Sequence, residues 1–142
     1  MRTENILEAI KTTLQGTTSQ NGVSREQSYD ISSAEIPHVI VVEGEDNVEG
    51  ERAQSYIDWI LNVDLKVICR GESGTSVTLL NTIRGEIHTA LMTDYTLGLA
   101  YVKFIRAVTT DRPTVSVEGD MPIVSQIFSY EVHYRSNWNS LT

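Results

Sequence analysis

The residues whose types could do chemistry are few and scattered in this 142-residue chain. Three histidines, His38, His88 and His133, stand far apart, and no HxxxH pair brings two of them onto one helix face. His88 follows Arg84 by four residues on the flank of a helical stretch, a setting for a surface or hydrogen-bonded imidazole rather than a base. The segment RGESGTS (Arg70 to Ser76) has two glycines before a helix, which could cradle an anion. It lacks the lysine and spacing of a phosphate loop, so it reads as a strand-to-helix connection. Glu43, Glu45, Asp46, Glu49 and Glu51 put five carboxylates into nine positions. The ligand order and central glycine of a calcium loop are missing, and the stretch Gly44 to Gln54 reads as a solvated acidic loop. No catalytic residue, cofactor-binding residue or metal ligand emerges, and the chain is not expected to be an enzyme.

Composition narrows the field further. The length suits one domain with a sizeable core. A formal charge of −8 makes the surface a poor match for phosphate backbones, and a good one for a passage through which nucleic acid slides without sticking. Cys69 is the only cysteine, which excludes an internal disulfide framework. It sits in a strand-like run, where a small buried hydrophobe is the default. No apolar run approaches the roughly 18 residues of a membrane span, and MRTENILEAIK has no signal-peptide core. These features place the protein in cytoplasm, or among products released by lysis.

Hydrophobic spacing gives the elements that must position these residues. Ile6, Leu7, Ile10 and Leu14 share one face of a first helix, Thr3 to Leu14, with Thr3 as a candidate cap. Gln15 to Glu35 is a polar surface excursion. Ile36-Pro37 leads into a strand, His38 to Glu43. Tyr56 to Arg70 alternates along its length, with Ile57, Trp59, Leu61, Val63, Leu65 and Val67 on one face. At about 3.3 Å per residue it reaches roughly 50 Å, against about 37 Å for a compact domain of this length. Either a bulge divides it or one end projects.

The helix that follows, capped at Thr75 or Ser76, presents Leu80, Ile83, Ile87 and Leu91 to the core. Its opposite face carries Thr78, Thr82, Gly85 and Thr89 instead of the usual Glu and Lys. Glycine in a helix interior costs roughly 1 kcal/mol against alanine. The face therefore marks close approach of a neighbouring subunit, or else is a set of exposed threonines with an incidental glycine. Thr93 to Gly98 reads as a turn, and Leu99 to Thr109 as a strand. A loop or minor hairpin fills the space before Ile123 to Arg135, the last strand. Ser136 to Thr142 is a polar tail whose Trp138 either folds back or anchors in a partner. The expected fold is a single α+β domain over residues 1–135. Its sheet is four-stranded, mixed or largely antiparallel, with two helices on one face and element order α-β-β-α-β-β.

The central segment LLNTIRGEIHTALMTDYTLG resembles the tail terminator (tail completion) proteins of long-tailed bacteriophages. Leu80, Ile83, Arg84, Glu86, Ile87, Ala90 and Leu91 match a helix of the type LxxLRxEIxxAL. Asp94, Thr96, Leu97 and Gly98 match a D-x-TLG turn. A Pro-led strand ending in Glu-Gly (Pro37 to Gly44), a Trp-containing alternating strand and a closing strand ending in Tyr-Arg fall in the same order. The polar excursion before Glu35 is longer than that family's pattern. The resemblance implies a virion protein, assembled in host cytoplasm and placed at the head-proximal end of the tail. Its subunits would form a homo-oligomeric ring of six, which caps the tail tube and ends tube polymerisation. It would dock a head-completion or neck protein and let DNA pass through its lumen. The candidate subunit interface is Thr78, Thr82, Gly85 and Thr89, with Tyr56 and Trp59 at the end of the long strand. Glu45, Asp46, Glu49 and Glu51 are candidates for the lumen rim or the contact with the tail tube protein. A head–tail connector or other neck or tube subunit is the alternative within the particle. A small ligand-binding α+β domain is the alternative outside it.

Overall fold

A computed structural model describes residues 2–17, 22–25, 37–52, 56–70, 73–118 and 121–137. The element order is α1 (Arg2–Gln15), β1 (Gly22–Arg25), β2 (His38–Arg52), β3 (Tyr56–Arg70), α2 (Ser73–Thr93), β4 (Val102–Thr110), β5 (Thr114–Glu118) and β6 (Met121–Asn137). The strands form one mixed six-stranded sheet in the order β1-β2-β3-β6-β4, with β5 also paired to β6. The expected four-stranded sheet and α-β-β-α-β-β order are therefore wrong. The two strands not foreseen are short. β1 is four residues inside the polar excursion, with Val23 its only buried side chain, and it pairs parallel to β2. β5 is five residues between Pro113 and Gly119, where turn residues mask the alternation.

β3 governs the rest. Leu61, Val63, Leu65, Val67 and Cys69 alternate onto one face, and all are fully buried. Its pairing with β6 is unbroken from Tyr56↔Asn137 to Arg70↔Ile123. No bulge divides this strand; the irregularities fall in its neighbour. β2 slips register between Glu43 and Asp46 and between Val48 and Gly50. At the first slip the backbone comes so near β3 that a Cβ on Gly44 would lie 2.8 Å from the Asn62 carbonyl oxygen. Only glycine fits there. The expected acidic loop is thus the second half of a strand.

One apolar cluster joins this sheet face to both helices. Ile6, Leu7, Ile10 and Leu14 of α1, and Leu80, Ile83, Ile87 and Leu91 of α2, lie against Val39, Val41, Val132 and Tyr134. α2 begins at Ser73, so Thr75 and Ser76 lie within its first turn and are not caps. Arg25 ties the edge strand β1 to α1 through Glu4 at 2.7 Å and Glu8 at 3.0 Å. After α2 the chain turns through Leu97, buried at φ 55, and Gly98 at φ 68. A left-handed leucine is uncommon; its side chain is held in the core. β6 extends two residues into the segment expected as tail, and Trp138 lies outside the described residues.

Candidate functional site

Three surfaces hold the residues singled out by sequence. The first is the outer face of α2. Thr78, Thr82, Gly85 and Thr89 are all exposed, and Thr82 donates its hydroxyl back to the Thr78 carbonyl at 3.0 Å. A Cβ on Gly85 would meet nothing within 4 Å. No close approach among the described residues accounts for this glycine. It forms the ridge between two clefts. One, of about 510 Å³, lies between α2 and the end of α1, lined by Gly16, Thr17, Thr82, Glu86, Thr89 and Ala90. The other, of about 480 Å³, lies between α2 and strands β4 and β6. In the second cleft His88 Nδ1 stands 3.3 Å from the Tyr130 hydroxyl, and the Arg84 guanidinium lies over the Phe128 ring. These contacts tie α2 to β6 across the cleft.

The acidic residues are not one cluster. Strand alternation splits them. Asp46 accepts the Tyr134 hydroxyl at 2.6 Å; burial raises its carboxyl above the usual range, and that hydrogen bond partly offsets the rise. Glu49 reaches the opposite sheet face, 3.3 Å from His133 Nδ1. Glu45 takes a long contact from Asn47, and the Glu51 side chain lies outside the described residues. Trp59 and Tyr56 also have intrachain roles. The Trp59 indole donates to Ser136 at 2.8 Å and stacks on Tyr134. Tyr56 lies under the Arg135 guanidinium, 3.6 Å from it.

The third surface is the sheet face away from the helices, and sequence reasoning missed how its groups combine. Asp58, only 5% exposed at its side chain, sits between Arg135 Nε at 2.8 Å and Lys103 Nζ at 3.2 Å. The Arg135 hydrogen bond, working against burial and aided by Lys103, holds its carboxyl below the usual range. Beside it Glu131 accepts from Arg106 Nε at 2.8 Å and lies 3.2 Å from His133 Nε2. Burial alone would raise the Glu131 carboxyl, but Arg106 and His133 hold it below the usual range. Phe104 stacks on His133 at 4.3 Å between ring centroids. The even spacing of Asp58, Glu131, His133 and Arg135 along β3 and β6 signals a polar face; the cross-strand register that pairs them has no local signature.

Comparison with known proteins adds one finding. The chain is similar in fold to a chain of a virion. That solved structure is described as the "Virion of native gene transfer agent (GTA) particle", with TM-score 0.52 and 13% sequence identity over 90% of this chain and 94% of that one. At that identity the likeness speaks for the fold alone. The type 4 fimbrial biogenesis protein PilO from Pseudomonas aeruginosa aligns at TM-score 0.29 and 12% identity over 68% of this chain and 58% of that one, too distant to carry an argument. No family model and no curated protein matches the chain.

The motif residues recognised in the sequence have a structural explanation of their own. Leu80, Ile83, Ile87 and Leu91 are fully buried, and Leu97 anchors the turn. Among the described residues no group of three or more His, Cys, Asp or Glu side chains could hold a metal ion, and no helix is long and apolar enough to cross a membrane.

Proposed function

We propose that this protein is a structural component of a phage-type virion, and within it the tail terminator. Subunits form a ring, six in number, that sits on the last ring of the tail tube, ends its growth and offers the surface to which the filled head docks. The observation that carries the virion reading is the fold likeness to a chain of the gene transfer agent particle over nearly the full length of both chains. The terminator assignment rests on the resemblance of the α2 helix and the turn after it. Three physical features support a role in assembly rather than catalysis. The outer face of α2 lacks the charged residues of an ordinary solvent face. Its helix-interior glycine meets no close neighbour among the described residues. The charge of −8 suits a lumen that DNA must cross without binding. Glu45, Asp46, Glu49 and Glu51 are the candidates for the lumen rim or tube contact. Virion placement implies partners above and below the ring, a neck or head-completion protein and the tail tube protein.

The test is tail length in particles assembled without the gene, read by negative-stain electron microscopy. Overlong, irregular tubes detached from heads are the expected result. Tails of normal length lacking heads would assign a connector role instead, and normal infectious particles would overturn the reading.

A further inference from the structure

Among the described residues the sheet has two edges left open in whole or in part, and their geometry is matched. On the outer side of β2, described residues pair only along His38–Val41, where β1 lies; from Val42 onward no described strand covers it. β4 is the edge on the other side. Following the register across the sheet, Val48 is level with Trp59, Tyr134 and Val102, and Val41 with Leu65, Phe128 and Thr110. The uncovered part of β2 and the whole of β4 therefore lie at the same height.

The two edges are also complementary in chemistry. Val42 to Glu49 carries Glu43, Glu45, Asp46 and Glu49 with no cation, whereas Val102 to Thr110 carries Lys103 and Arg106 with no acid. Arg106 stands at the level between Glu43 and Asp46. It spends its Nε–H on Glu131 yet keeps a side chain 61% exposed. Large apolar side chains reach solvent on both edges, Val48 on β2 and Val108 on β4. An exposed edge is normally blunted by lysines or prolines. Both edges carry charged side chains and register slips, which discourage indiscriminate pairing, and neither strand has a proline over these levels.

We propose that the β2 edge of one copy pairs with the β4 edge of the next, extending the sheet from subunit to subunit. Strand directions permit it. β2 and β6 run one way and β3 and β4 the other, so a neighbour brought round by rotation about an axis along the strands sets its β4 antiparallel to β2, the favoured ladder. The contact joins two different surfaces, as a cyclic ring requires. Edges at one level let it close with no rise per subunit rather than climb into a filament. The inference deepens the ring reading above and rests on it for its setting, though the contact can be tested alone.

Two variants of the full chain decide it. Val48→Lys disables the β2 edge by setting a cation against the basic edge, and Val108→Glu the β4 edge by setting a carboxylate against the acidic one; both positions are half-exposed, and circular dichroism checks that each variant folds. Should either fail, Glu45→Lys or Ala107→Glu addresses the same edge. Sedimentation of the wild-type chain at rising concentration is expected to show larger species. Each variant alone should stay monomeric, its dissociation constant raised by about 100-fold or more. An equimolar mixture should form a heterodimer and stop there, because only one intact edge remains on each partner. Overturning results are a wild-type chain monomeric up to about 1 mM, variants that assemble like wild type, or a variant that forms homodimers through one edge. The tail-length experiment is independent. Overlong tails with unaffected variants would reject the edge contact and leave the terminator reading standing; heterodimers with normal tails would do the reverse.

Discussion

Replacing Gly85 separates what the glycine does for the fold from what it does for assembly. It lies in the interior of α2, exposed, and a Cβ there meets no atom within 4 Å. Alanine at that site loses nothing to clash and gains the helix propensity difference, about 1 kcal/mol. For a domain of this length that raises the midpoint of thermal unfolding by about 2–4 °C. Far-UV circular dichroism at low protein concentration measures it. Leucine at the same position gains a similar amount in the monomer, since its side chain can lie along either flanking cleft. In the particle it should act oppositely, filling the ridge between the clefts and blocking a neighbour that packs there. Gly85→Leu particles are then expected to carry overlong tails although the isolated protein is at least as stable as wild type. A fall in the unfolding midpoint for Gly85→Ala would refute the premise that this backbone is unobstructed. Normal tails and full infectivity for Gly85→Leu would remove the Thr78, Thr82, Gly85 and Thr89 face from the list of interfaces.

Other perturbations report on the described contacts. Asp58→Asn removes a carboxylate whose folded pKa is depressed by Arg135 and Lys103. Its contribution, about 1 kcal/mol because Arg135 faces solvent, is present above the unfolded value near 4 and is lost as pH falls through the folded value. The stability gap between wild type and variant, from urea unfolding at several pH values, should be full at pH 7 and close in acid. A gap that widens below pH 4 would contradict this assignment. Cys69 is fully buried and burial pushes its thiol up to about 11, so a disulfide reagent at pH 8 should label it only as fast as the protein opens; prompt labelling of the native protein would be inconsistent with the fold. Trp59→Phe removes the donor to Ser136 and should cost about 1 kcal/mol in denaturant unfolding; an unchanged midpoint would mean that the hydrogen bond is exchanged freely for water.

Where a segment's own pattern decided its structure, the sequence was a reliable guide, and where neighbours decided it, it was not. The alternation of β3 located that strand because its inward positions, Leu61, Val63, Leu65, Val67 and Cys69, are all buried and apolar. The stripe of α2 and the inward set of β6 were legible for the same reason. The second half of β2 shows the opposite case. EGEDNVEGER has two glycines and a single large apolar residue, and read alone it is a loop. It becomes strand because β3 is fifteen residues long and leaves a row of backbone donors and acceptors along that side; pairing them outweighs the weak local propensity. The same demand draws GVSR out of the polar excursion to form β1, with Arg25 then fixed by Glu4 and Glu8. Register creates the third surface too: Asp58 meets Arg135, and Glu131 meets Arg106, across strands far apart in sequence. The free edges follow from that logic. The strand recruited by β3 on one side is met on the other, among the described residues, only by β1 along His38–Val41, and its acidic side chains, unremarkable in a loop, become one edge of a sheet whose opposite edge is basic.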